Sequence, residues 1–123
     1  MDSGPGKTVL VVENDLFFSS RIAGTLKSMG LIPVVTSSES RIDEMLAAGP
    51  PALAIVDMAA GPLDPLTVVA KLKSPRVPVP VIAFCEHTNG AALEEARRAG
   101  CEQVVSNGKL AASLKELVLS CLG

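Results

Sequence analysis

The sequence predicts a doubly wound α/β domain, a five-stranded parallel sheet of order 2-1-3-4-5 with helices on both faces. Three observations lead there. Strand-like and helix-like patterns alternate five times within 123 residues, the length of one domain. Apolar residues make up 48% of the chain, yet there is no Trp, no Tyr and only three Phe. The core must therefore be built from Val, Leu, Ile and Ala, the composition of a parallel sheet covered by helices. The connections are short, and a right-handed crossover in each βα unit then distributes the helices over both faces.

Each element has its own warrant. Thr8–Val12 is a short β-branched run, the first strand. Asp15 is placed to cap the first helix, along which Phe18, Ile22, Leu26 and Met29 follow at helical spacing, and Gly30 closes it. Ile32–Val35 is the second strand. Ser38 begins the second helix, with Ile42, Met45 and Leu46 facing inward and Gly49-Pro50-Pro51 ending it. Ala52–Val56 is the third strand. Asp64 caps the third helix, Pro65 sits in its first turn, and Leu66, Val69, Ala70 and Leu72 run along it. Pro75, Pro78 and Pro80 cluster at the entry to the fourth strand, Val79–Phe84, where a rigid extended segment is tolerable. Thr88 or Asn89 opens the fourth helix, which carries Leu93, Ala96 and Ala99 and stops at Gly100. Gln103–Val105 is the fifth strand, and Leu110, Leu114, Leu117, Val118 and Cys121 stripe the last helix. Residues 1–7 read as a flexible N-terminus and 8–123 as the domain.

Composition excludes several classes. A formal charge of −2 without a dense basic patch gives no case for nucleic-acid binding. No apolar run approaches the ~18 residues of a membrane span, and the polar start Met1-Asp2-Ser3-Gly4-Pro5-Gly6 lacks a signal-peptide core, so a cytoplasmic location is expected. Cys85, Cys101 and Cys121 have no metal-type spacing, and the chain has one histidine, so the thiols are expected to be free and reduced. Gly4-Pro5-Gly6-Lys7-Thr8 imitates the end of a phosphate loop. It lacks the earlier glycine, Met1 standing there, and it precedes a strand instead of opening a helix.

The chemistry gathers at two strand ends. The third strand delivers Asp57, and the first ends in Glu13-Asn14-Asp15. In strand order 2-1-3-4-5 these ends are adjacent at the carboxyl edge of the sheet, where open α/β sheets bind ligands. Clustered carboxylates repel unless a cation or a proton compensates, which points to a hard metal and phosphoryl chemistry.

With these residues in place the chain resembles the response-regulator receiver domain of two-component signalling, a flavodoxin-like fold, over essentially its whole length. Val11-Val12-Glu13-Asn14-Asp15 resembles the family's first strand and acidic pair. Leu53-Ala54-Ile55-Val56-Asp57 resembles the strand carrying the phosphoacceptor, and Gly61 followed by Asp64 resembles the loop after it. Pro80-Val81-Ile82-Ala83-Phe84-Cys85 is similar to the fourth strand, and Ala99-Gly100-Cys101-Glu102-Gln103-Val104-Val105 to the last helix-to-strand passage. The resemblance implies Asp57 as phosphoacceptor, with Mg²⁺ held by Glu13, Asn14, Asp57 and the carbonyl of Ala59. It implies a histidine kinase or an output protein as partner, and a partner face on the fourth helix, fifth strand and fifth helix, where Arg97 and Arg98 project.

The pocket departs from the family pattern. Asn14 replaces an acid, so Mg²⁺ binding is expected to be weak. Cys85 stands where the family has a hydroxyl, and a thiol is a poor donor. Glu86 adds bulk and negative charge where the family is small. Val104 replaces the aromatic residue that swings on activation. Asn107 replaces the lysine, and Gly108 the following proline, so no cis peptide is expected there. The expectation is a signalling receiver-like domain, not an enzyme, that acts mainly through protein interaction with weak or no phosphorylation. The alternatives are a working phosphorelay receiver accepting a phosphoryl group on Asp57 with Mg²⁺ and, less favoured, an enzyme or cofactor binder on the same fold. His87 has no evident partner and reads as a surface loop residue, and Glu94 is placed to pair with Arg97 and Arg98 on a solvated helix face.

Overall fold

Ten elements alternate along the chain: β1(Thr8–Val12), α1(Leu16–Ser28), β2(Ile32–Thr36), α2(Glu39–Ala48), β3(Leu53–Asp57), α3(Pro65–Leu72), β4(Val81–Cys85), α4(Gly90–Arg98), β5(Gln103–Ser106) and α5(Asn107–Leu122). The structure is a computed structural model and describes residues 7–59, 63–74 and 78–122. The strands form one parallel sheet in the order β2-β1-β3-β4-β5, as expected. Gly61, Pro75 and the Gly4-Pro5-Gly6 segment lie outside the described residues. Lys7, at the end of that segment, is tied to the sheet through its carbonyl, which accepts the Ile32 N–H at 2.9 Å.

Alternation along the strands divides the core into two layers. Leu10, Val12, Ala54, Val56, Val81, Ala83 and Cys85 face α2, α3 and α4, which contribute Ile42, Val68, Val69, Leu72 and Ala96. Val9, Val11, Leu53, Ile55, Ile82 and Phe84 face α1 and α5, which contribute Ile22, Leu26, Leu110, Leu114, Leu117 and Val118. Three central strands covered on both sides explain why these segments are continuously apolar instead of alternating with polar residues. Cys121 packs against the second layer from a partly buried position.

The helix signals act where expected. Asp15 caps α1 by accepting the Phe17 and Phe18 N–H groups at 2.9 and 3.1 Å. Ser38 caps α2, Asp64 caps α3 with Pro65 in the first turn, and Asn89, not Thr88, caps α4. Gly30 and Gly100 end α1 and α4 with φ of 81° and 95°, the left-handed region that glycine enters at least cost.

The differences are physical. Four strands run one residue further at their carboxyl ends than expected, because Thr36, Asp57, Cys85 and Ser106 continue the ladder opposite Val12, Phe84 and each other. The polar side chains suggested loops there, but pairing uses only the backbone. At its other end β4 starts at Val81, not Val79, since the Val79 N–H is taken by the Leu72 carbonyl. On α3, Ala70 is exposed and Val68 fills the core in its place. No loop separates β5 from α5, so Asn107 is the first helical residue, and α5 kinks at Ser113.

Candidate functional site

Glu13 follows β1 directly and is drawn inside by the adjacent strand: its N–H donates to the Thr36 carbonyl at the end of β2. The side chain is only 3% exposed. Its Oε1 accepts the Asp15 N–H at 3.1 Å, while Oε2 is buried with no donor among the described residues. Burial, and after it contact with Asp57, pushes the Glu13 carboxyl from 4.5 up to about 8, against the opposing pull of the Asp15 N–H. Asp57, the last residue of β3, is half-buried, and its Oδ1 accepts the Ala59 N–H at 2.8 Å. That bond fixes the carboxylate at the mouth of the sheet.

Glu13, Asn14, Asp15, Asp57 and Asn107 line one cleft of about 400 Å³, together with Phe17, Phe18 and Phe84. Phe18 and Phe84 meet edge to face with centroids 5.4 Å apart. Asn107, at the start of α5, has a buried Oδ1 without a donor among the described residues. The cleft thus combines carboxylates with the carboxamides of Asn14 and Asn107, and none of its described lining residues is a Lys, Arg or His. A smaller cavity of about 50 Å³ lies between α1 and α5, lined by residues including Arg21, Thr25 and Leu114, away from the acids.

Not every residue singled out in the sequence reaches the cleft. Cys85 is 1% exposed and directs its thiol to the carbonyls of Glu86 at 3.5 Å and Asn89 at 3.8 Å. Burial raises its pKa, with Asp57 and Glu86 adding to the effect, so it is not a ready nucleophile. Glu86 and His87 are exposed on the loop before α4, and neither is among the cleft's described lining residues. Val104 packs, half-buried, against the α2–α4 layer, and Gly108 is exposed in the first turn of α5. Among the described residues there is no cis peptide. On α4, Glu94 pairs with Arg97 and Arg98 at 3.4 Å each, on the exposed face expected.

A divalent cation suits part of this set. Glu13 Oε2 is an orphaned buried oxygen beside a second carboxylate, and a cation would relieve both. Glu13, Asp57, Asn14 and the Ala59 carbonyl are the groups that would hold Mg²⁺. Asp15 contributes less, since its Oδ1 is used by two N–H groups of α1. Among the described residues no three His, Cys, Asp or Glu side chains form a metal cluster. Sequence reasoning missed the exposed apolar pair that opens α1: Leu16 and Phe17 are 82% and 81% exposed, and Phe17 lines the cleft. Their positions ahead of the inward stripe of Phe18 and Ile22 carried that signal.

No protein-family model matches the chain. Among curated proteins, Regulator of RpoS from Escherichia coli is 28% identical over 118 residues, 95% of this chain and 35% of that protein. The chain therefore spans about a third of the length of the curated relatives it matches. The signal receiver domain of a histidine kinase from Syntrophus aciditrophicus superposes with a TM-score of 0.82 at 18% identity, covering 95% of this chain and 90% of that one. An orphan response regulator of H. pylori gives 0.80 at 16% identity, covering 97% and 98%. The receiver domain of the TMAO respiratory response regulator TorR gives 0.78 at 17%, covering 94% and 98%. The chain has the receiver fold of response regulators.

Proposed function

We propose that the chain is a receiver-type signalling module, not an enzyme, that works mainly by binding another protein, with phosphorylation of Asp57 slow or absent. The observation that carries this reading is the charge balance of the cleft. Asp15 and Asp57, with a Glu13 carboxyl that holds its proton up to about 8, face a space whose described lining supplies no cation, and Asn107 presents an oxygen acceptor. A phosphoryl group brings more negative charge into that space, and transfer depends on positioned positive charge to stabilise it. The exposed face of α4 with Arg97 and Arg98, continuing to β5 and α5, is the surface this reading assigns to a kinase or output protein. The cytoplasm is the compartment such a module requires.

The test is the intact mass of the protein after incubation with acetyl phosphate and Mg²⁺. Slow or no labelling is expected. Rapid, near-complete labelling that Asp57→Asn abolishes would overturn the reading.

A second reading is a Mg²⁺-dependent phosphoacceptor. It is favoured by Asp57 held beside an unpaired Glu13 oxygen. Its distinguishing measurement is a Mg²⁺ titration of the parent and Asn14→Asp. Weak binding by the parent and tighter binding by the variant are expected, because the substitution restores an anionic ligand.

A further inference from the structure

The cleft is unbalanced in its hydrogen-bonding groups as well as in charge. Among the described residues Glu13 Oε2 and Asn107 Oδ1 have no hydrogen-bond donor, and Glu13 is left to hold a proton of its own beside the Asp57 carboxylate, whose Oδ1 accepts the Ala59 N–H, so an incoming cation would take the place of that proton. Turning the Asn107 carboxamide over would offer neutral N–H donors and no charge. What the cleft asks for is a cation that donates several hydrogen bonds.

Its rim asks for something else. Leu16 and Phe17 are the most exposed large apolar side chains among the described residues, and Phe17 itself lines the cleft. A metal ion would use the acids and leave this apolar rim without a role. A polypeptide can use both. An ammonium has three donors and no acceptor, and its slender apolar stem can lie against the exposed Phe17 at the cleft's edge, above the partly buried Phe18. The compact head suits a cleft whose acceptors come from three separate elements better than a planar, forked guanidinium does.

We propose that the cleft receives a lysine from a partner polypeptide, with apolar residues beside that lysine packing on Leu16 and Phe17. The proposal rests on the reading of the chain as an interaction module and names the chemistry of one partner. Cleft charge gives the contact its register, and the apolar rim gives it buried area.

The probe is a displayed library of random dodecapeptides, selected on the full chain with EDTA present. Enriched peptides are then synthesised and titrated into isotope-labelled protein by NMR. Lysine next to Leu or Phe is expected to be enriched. Acetylating that lysine should weaken binding at least about tenfold. Shifts should centre on Glu13–Phe18, Asp57–Ala59 and Asn107. Asn107→Lys, which places an ammonium beside the acids within the chain itself, should remain folded and lose the peptide. Leu16→Ser with Phe17→Ser should also weaken it. Enrichment of arginine in lysine's place, absence of any basic enrichment, shifts confined to the α4 face, or full binding by Asn107→Lys would each overturn the proposal. The mass measurement above is independent, since fast labelling of Asp57 would refute the interaction-led reading whatever peptides are selected.

Discussion

The two ends of the sheet treat a glutamate in opposite ways. At the amino-terminal edge Glu102, just before β5, accepts Lys73 Nζ at 2.6 Å through Oε2 and the Val81 N–H at 2.8 Å through Oε1. Lys73 also donates to the Val79 carbonyl at 3.1 Å, joining the end of α3 to the entries of β4 and β5. Burial alone would raise the Glu102 pKa, but Lys73 and the Val81 N–H outweigh it and hold it below 4.5. At the carboxyl edge Glu13 is more deeply buried, has another carboxylate for a neighbour, and rises to about 8. With no cation beside it among the described residues, it holds a proton instead. One end of the molecule is satisfied by its own side chains, whereas the other is left with groups that only an added proton, ion or partner can satisfy.

The largest expected effect comes from removing the carboxyl that cannot be satisfied. Folded Glu13 keeps its proton up to about 8 and the unfolded group loses it near 4.5, so its contribution is full below pH 4.5 and falls as pH rises to about 8. Urea unfolding without divalent ions should show stability declining across that window by on the order of a few kcal/mol. Glu13→Gln should remove most of the decline and be the more stable protein at pH 8. A parent curve that is flat or rises from pH 5 to 8 would break the comparison at its main point.

The opposite end should respond in the opposite sense. Lys73→Met leaves Glu102 without its cation and should destabilise the fold by about 1–2 kcal/mol at pH 7. The Glu102 carboxyl, followed by NMR, should titrate at higher pH in the variant. Asn107→Lys sharpens the contrast by supplying the missing cation to the carboxyl end. Glu13 should then titrate at lower pH, with a gain of about 1 kcal/mol at pH 8 after the cost of a cation at a helix N-terminus. The smallest effect is expected for Lys71→Ala. Lys71 bridges Glu39 at 2.5 Å and Asp43 at 2.8 Å on the open surface between α2 and α3. Its melting temperature should stay within error of the parent, because exposed pairs contribute little.

Much of this protein was legible in the residue order. Strand runs, helix stripes and the caps Asp15, Ser38, Asp64 and Asn89 are local signals, since each depends on neighbours within a turn or a pleat. The parallel order then followed from short crossovers, and with it the meeting of Glu13 and Asp57. The strand ends misread as loops shared one cause: polar side chains at Thr36, Asp57 and Ser106 hid a backbone ladder that depends on the partner strand.

The sequence by itself determined which elements form, in what order, and which acids share an edge, because periodicity and capping act over a few residues. Only the tertiary structure decided what those acids experience. Lys73 and Glu102 are 29 residues apart and meet in an ion pair, while Asn107 comes to the acidic cleft without a charge. Cys85 and Glu86, placed beside Asp57 by position alone, turn toward α4 and the solvent. Burial and charge pairing fall off over a few ångströms of space, not of chain, so the proton on Glu13 is a property of the fold.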